Sequence, residues 1–483
     1  MKPTNVNLVG QNPNPSPDYY CTWQTQLYAT SDGKPEAQRA VIGEKALFDR
    51  EKPFGWAYFY ENVREDLFLV MDDSWDVPLH AQKADFGSLI LDRDKFPQST
   101  DGTKNNAEAL TRLVEKIKSI GWKGLGGWVC AQEAQTDTDD VERYWKKRLQ
   151  EAHASGMSYW KVDWGKKGRD ADFRRMLSEM GKIYAPGLTI EHAMIPQIIA
   201  HTAVFRTYDV PALMSIPMTV EKLALLSHMD GGLINCEDEA YIAAAGGFSM
   251  GIMRHPYRGD FPNGKTDMSF PSLHRNLKTK LYEVIRAARF HRIAPAFGGS
   301  FTCSEEKLVD TWRFVRTEEE IEAWWLENPL LQPDIRDGIL TKSAPRMLAR
   351  NGAFATVSPD ENGDLPYTVV SENPNGVFSI ATLGRTRERD YFLPRCDVMI
   401  DIKNADTVGI FGSYRRLILK SAHTQVQRVL MQDPADAFAY DITDVVSFSN
   451  GILTIPGEWI EKIGTSAQPI EDTSEAGVVL RIF

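Results

Sequence analysis

The chain has 483 residues, too many for one small domain and enough for two or three. Hydrophobic residues make up 42% and charged residues 25%, the balance of a globular protein with a sizeable core. The net charge of -11, with no basic run, offers no electrostatic footprint for nucleic acid or for an anionic membrane surface, and no apolar run approaches the roughly 20 residues that span a bilayer. The N-terminus, MKPTNVNLVGQNPNPSPDYY, lacks the apolar h-region of a secretory signal, so a soluble chain is expected, with export requiring a leader removed from it. Five scattered cysteines (Cys21, Cys130, Cys236, Cys303, Cys396) show no CxxC or Cys/His spacing, and neither a disulfide framework nor a metal site is expected.

In chain order, residues 1–45 read as an irregular lead-in in which DYYCTWQTQLYAT alternates well enough for an edge strand. Residues 46–300 carry eight short apolar runs, at 54–60, 66–73, 124–130, 158–164, 187–193, 203–211, 231–238 and 248–256. Amphipathic helical stretches lie between them. The stretches at 105–121 and 139–156 each end in a C-capping Gly. Eight strand–helix units at roughly 30-residue spacing predict an α/β fold of the TIM (β/α)8 barrel type. A doubly wound open sheet is the competitor, but no G-x-G-x-x-G follows the first strand. Residues 301–345, with TEEEIEAWWLENPLL, predict a helical connection, and 346–483, with short alternating strands and turn signals, a C-terminal antiparallel β-sandwich.

A TIM barrel builds its active site at the C-terminal ends of its strands. The runs end there in Asp72 and Asp73, in Trp128, in Lys161 and Asp163, in Glu191 and His192, in Arg206 and Asp209, in Asn235, Glu237 and Asp238, and in Arg254 and His255. Carboxylates crowded with Lys and Arg have strongly perturbed pKa values, as acid/base sites require. Tryptophans beside acids and glycines, as in DDSWD, GLGGWV and WKVDWG, suit a ligand with apolar faces and many hydroxyls, such as a sugar. Two chemistries use such a rim, metal-assisted hydrolysis and glycoside hydrolysis by two carboxylates. With nine His and no His-x-His the metal case is the weaker, and no cofactor is expected. A sugar-binding protein without turnover is a third reading. In the glycosidase case Lys161, two residues from Asp163 on the same strand face, keeps Asp163 ionised, and Asp209 stands across the pocket.

YWKVDWG resembles the Y-x-K-x-D nucleophile strand of the α-galactosidase clan of retaining glycosidases, which includes the α-N-acetylgalactosaminidases. FLVMDDSW is similar to that clan's strand-2 DDGW, FGWAYFYEN to its strand-1 region, and FRTYDVP to its strand-6 segment. The resemblance implies a carbohydrate-active hydrolase for a terminal α-linked sugar, an α-galactoside first and an α-N-acetylgalactosaminide as alternative. It implies Asp163 as nucleophile and Asp209 as general acid/base. It implies Asp72 and Asp73 on the sugar hydroxyls at C4 and C6, Lys161 on further hydroxyls, Trp56 lining the pocket floor and Arg206 near the 2-substituent. Trp128, Glu191 and His192 are further candidate sugar contacts. The sequence departs from the clan in Ser74 for Gly, in a three-residue step from Arg206 to Asp209 where the clan has four, and in the loop EHAMIPQ. The last bears on which sugar is bound, and Glu191 is the alternative acid/base if Asp209 points elsewhere.

Overall fold

The computed structural model describes residues 2–30, 35–81, 85–134, 140–207, 214–253, 256, 280–313, 339–388 and 390–483. Eight parallel strands close into a barrel: Tyr19–Cys21, Phe68–Met71, Gly124–Val129, Tyr159–Val162, Thr189–His192, Val204–Arg206, Leu233–Glu237 and Ser249–Ile252, here barrel strands 1 to 8. Closure is made by strand 1, which pairs in parallel with strand 2 and with strand 8. Strands 2 to 8 fall inside the predicted runs.

Strand 1 does not. It lies within the predicted lead-in, so the barrel begins near residue 19 rather than 46. The run at 54–60 instead folds as the 3-10 turn Trp56–Tyr58, between Gly55 at φ 85° and Tyr60 at φ 53°, left-handed conformations that interrupt a strand. All three residues of strand 1 are buried, on both faces. Tyr20 packs outward against Phe59, Tyr60 and Trp122, while Tyr19 and Cys21 point in. Three apolar residues buried on both sides show no period.

The predicted helical stretches at 105–121 and 139–156 form, and each carries a side-chain cap at its N-terminus. Asn105 accepts from the Glu108 amide at the start of Asn106–Ser119, and Asp140 from the Arg143 amide at the start of Val141–Ser155, which ends at Gly156 with φ 73°. Alternation along each strand sends one set of side chains to this helical shell and the other into the barrel. Trp160 goes outward, 6.2 Å from Trp145. Tyr19, Phe68, Val70, Tyr159 and Met253 fill the interior. Gly251 makes room for them, since a Cβ there would stand 2.7 Å from the Tyr19 ring and 2.8 Å from the Asn235 amide oxygen.

The C-terminal part is a two-sheet sandwich. A nine-stranded sheet that includes Met347–Arg350, Tyr367–Glu372, Phe378–Leu383, Thr407–Phe411 and Gly477–Ile482 faces a five-stranded one that includes Cys396–Lys403, Tyr414–Ser421 and Ile452–Pro456. Val370, Ile380, Val408 and Leu480 from the first meet Val398, Ile400, Leu417 and Leu453 from the second in one apolar core. Most pairings are antiparallel, with parallel ones inserted where Met347–Arg350 meets Tyr367–Glu372, Phe378–Leu383 meets Thr407–Phe411 and Cys396–Lys403 meets Tyr414–Ser421. The opposite face of the nine-stranded sheet packs on the barrel helices Ala240–Gly246 and Leu281–Phe290. A buried two-pronged ion pair, Arg286 Nε and Nη2 to the two carboxylate oxygens of Asp433 at 2.9 and 2.8 Å, crosses that junction. The predicted lead-in also joins this sheet, through Lys2–Pro3 against Tyr440–Asp441.

The predicted helical connection at 301–345 is corrected at both flanks. Lys307–Arg313 pairs antiparallel with Ile339–Pro345, and TEEEIEAWWLENPLL lies outside the described residues. Among the described residues, no helix is long and apolar enough to cross a membrane.

Candidate active site at the barrel mouth

Charged side chains of barrel strands 4 to 7 converge inside the C-terminal end of the barrel. Asp163 follows strand 4, fixed by its amide on the Val129 carbonyl at 2.9 Å. Its Oδ2 accepts the indole N–H of Trp128 at 2.9 Å, and its Oδ1 lies 3.1 Å from Arg206 Nη2. The same guanidinium reaches Glu237 Oε1 from Nη1 at 2.6 Å and Glu191 Oε1 from Nε at 3.3 Å. One Arg, from strand 6, thus faces three carboxylates from strands 4, 5 and 7.

A second ion pair stands beside it. Lys161 Nζ lies 2.6 Å from Asp72 Oδ2, which also accepts from the Cys21 thiol at 2.8 Å. The sequence made Lys161 the charge partner of Asp163. In the structure its direct partner is Asp72, and Arg206 is the cation in contact with Asp163, because the Asp72 carboxylate lies closer to the ammonium. Asp73 accepts from the Ser74 hydroxyl at 2.6 Å and lies 3.8 Å from Arg39 Nε. Ser74 itself sits at φ 71°, a backbone that favours glycine, as the clan motif has there.

Not every predicted residue joins the cluster. His192 alternates to the outer face of strand 5, where its Nδ1 meets Arg174 at 3.1 Å and its Nε2 meets the Ser178 hydroxyl at 2.8 Å. Burial, with Arg174 adding to it, holds its pKa well below the usual value, so it is a neutral packing group between barrel and helix. Trp56 is fully buried in its 3-10 turn, with its indole N–H on the Pro53 carbonyl at 2.8 Å; among the described residues no hydrogen bond ties it to the cluster. Asp209, Arg254 and His255 lie outside the described residues. Glu237 was only a strand-end acid in the sequence; its place on Arg206 follows from two strands that are adjacent once the barrel closes.

Exposure and charge separate the acids. The Asp163 side chain is 10% exposed, against 4% for Asp72, 5% for Asp73, 1% for Glu237 and none for Glu191. Burial pushes the Asp163 pKa up, but Arg206, Lys161 and the Trp128 N–H outweigh it and hold the carboxyl below its ordinary range. Burial dominates at Glu191 and pushes it up to about 7 against the pull of Arg206 and the Tyr159 hydroxyl. It likewise lifts Asp73 to about 6. Half-buried Trp164 closes the aromatic side of the mouth, 5.3 Å from Trp128 and 5.0 Å from Phe86 between ring centroids. The arrangement therefore offers a firmly ionised, reachable carboxylate beside aromatic surface, with weaker acids behind it.

No family model matches the chain, and no curated protein does. Several solved structures of carbohydrate-active enzymes are similar to it. The α-galactosidase of Saccharomyces cerevisiae with raffinose is 10% identical, with 100% of each chain covered and a TM-score of 0.41. A β-L-arabinopyranosidase variant from Geobacillus stearothermophilus in complex with arabinose is 8% identical, with 96% of this chain and 97% of that one covered and a TM-score of 0.39. An Anoxybacillus α-amylase is 8% identical over 96% and 98%, with a TM-score of 0.39. These are distant likenesses of overall fold, and a TIM barrel hosts many unrelated chemistries, so function has to be argued from the site.

Proposed function

We propose that this chain is a retaining glycoside hydrolase that cleaves a terminal α-linked sugar, with an α-galactoside as its substrate. Asp163 attacks the anomeric carbon while Asp209 gives its proton to the departing oxygen. Water then attacks the glycosyl-enzyme, Asp209 takes a proton from that water, and Asp163 leaves with the bonding pair. The role of Asp209 and the choice of sugar rest on the sequence resemblance.

One observation carries the reading. Among Asp72, Asp73, Asp163, Glu191 and Glu237, the most exposed, Asp163, is also the one held ionised by a contacting cation together with an indole N–H. A nucleophilic carboxylate needs both properties at once, since a protonated one does not attack and a sealed one does not meet substrate. Asp72 and Asp73, immediately beyond strand 2, supply acceptors for sugar hydroxyls.

The test is a panel of aryl α- and β-glycosides, including the α-galactoside and the α-N-acetylgalactosaminide, with product stereochemistry followed by NMR. The α-galactoside should be cleaved with retention, unaffected by chelator, and Asp163→Ala should abolish turnover. Inverted product refutes double displacement, chelator-sensitive turnover refutes the two-carboxylate mechanism, and wild-type rates in Asp163→Ala remove Asp163 from the chemistry. A chain that binds sugars but turns over no glycoside refutes the hydrolase.

A further inference from the structure

The proposed reaction leaves two acids of the cluster without a task. Glu191 and Glu237 are almost sealed from solvent, and burying a carboxylate is costly unless something compensates it. Glu191 is ringed by donors from three other strands: the hydroxyls of Tyr19 at 3.2 Å and Tyr159 at 2.8 Å, and the amide of Asn235 at 3.1 Å. Those bonds pin Glu191 to the barrel wall. Glu237 spends one oxygen on Arg206, and its buried Oε2 has no hydrogen-bond partner among the described residues. What both share is the Arg206 guanidinium, on its Nε and Nη1 edges, while the Nη2 edge faces Asp163.

A guanidinium is a planar fork. A contact on one edge leaves it free to rotate, whereas contacts on two further edges fix both its plane and its rotation. We infer that Glu191 and Glu237 are positioning residues, which lock the Arg206 fork in the orientation that delivers Nη2 to Asp163. This rests on Asp163 being the nucleophile. Among the described residues, the other charged groups nearby are engaged elsewhere. Lys161 is paired with Asp72, and Arg174 donates to the Asp163 main-chain carbonyl, not to its carboxylate. Cys21 on strand 1 donates to Asp72, and the Tyr19 and Tyr159 hydroxyls donate to Glu191. Orientation of Arg206 is thus what keeps a contacting cation on the Asp163 carboxylate.

Glu237→Gln separates this from a simple charge effect, because the two have opposite signs. Deleting a nearby negative charge makes Asp163 a stronger acid and lowers its titration midpoint. Releasing the fork takes the cation away and raises that midpoint. The midpoint is read by carboxyl 13C NMR, with the Asp163 resonance assigned by its loss in Asp163→Asn. Glu237→Gln should raise it by ~1 unit, the low end of what one adjacent cation contributes. kcat for the aryl α-galactoside should fall ~10-fold, the rate equivalent of that unit, with KM little changed. Glu237→Asp, which keeps the charge, should restore most of both. A midpoint that falls or stays, or a loss carried wholly by KM, overturns the inference. The titration needs no turnover, so it decides the positioning role even if the wild type proves inactive on every glycoside. Should Glu237→Gln not fold, Glu191→Gln perturbs the same fork from its Nε edge and is read in the same way.

Discussion

Asp73→Asn should make the protein more stable at neutral pH while weakening its activity. Burial pushes the Asp73 carboxyl up from 3.8 to about 6, and neither the Ser74 hydroxyl nor Arg39 offsets it. The sign follows from the direction. A carboxyl whose folded pKa is raised favours the folded state only while protonated, and that advantage is lost as pH rises from about 4 through about 6. Above this window the folded chain carries the full penalty, ~3 kcal/mol for a shift of about two units. Asparagine removes the charge and keeps an acceptor for Ser74. Unfolding entropy of ~2.1 cal/mol/K per residue over 483 residues makes each degree of Tm worth about 1 kcal/mol. Scanning calorimetry should therefore show Tm of Asp73→Asn about 3 °C above wild type at pH 7, shrinking to about half a degree at pH 4. The same variant should lose kcat/KM on the aryl α-galactoside, since a carboxylate kept at such a cost is a mark of a binding site. A Tm at pH 7 equal to or below wild type, or a gain that is the same at both pH values, refutes the reasoning.

Two other changes follow from the same contacts. Trp128→Phe removes the N–H on Asp163 Oδ2, a hydrogen bond to a charged group worth ~1.5–3 kcal/mol, so the acid limb of the kcat/KM profile should climb by ~1–2 units; an unmoved limb would show that the indole does not hold the nucleophile ionised. Asp433→Asn strips the partner from a fully buried Arg286, a loss of ~3–5 kcal/mol, and should lower Tm by about 3–5 °C while kcat for the aryl α-galactoside stays at its wild-type value; a drop under 1 °C would show that the pair does not clamp barrel to sandwich.

Seven of the eight barrel strands were legible because each is a short apolar run, and the polar residue that ends each run marks the rim. Strand 1 was misplaced, since Tyr19–Cys21 is too short to carry a period, while the aromatic run at 54–60 has the composition of a strand but a backbone turned at Gly55 and Tyr60. Trp56 was drawn into the site by that error. Parity was decisive elsewhere. Lys161 and Asp163, two apart, share the inner face, whereas His192, one past Glu191, had to face the helices. Partner choice was not legible. That Lys161 goes to Asp72, and that Arg206 gathers Asp163, Glu191 and Glu237, depends on which strands become neighbours when the barrel closes.

The depth of each acid in the barrel explains the division of labour among them. At the mouth, Arg206, Lys161 and the Trp128 N–H outweigh the cost of burial, and Asp163 stays ionised across the neutral range. One layer down, the same guanidinium meets Glu191, but there burial outweighs it and lifts the pKa to about 7. A carboxyl that remains charged is suited to attack, and one that titrates near neutrality is not a dependable nucleophile. Exchanging the two roles would need Glu191 to reach a substrate through the side chains of Tyr19, Tyr159, Asn235 and Arg206 that enclose it. The barrel therefore favours Asp163 over its deeper neighbour on access and on charge together.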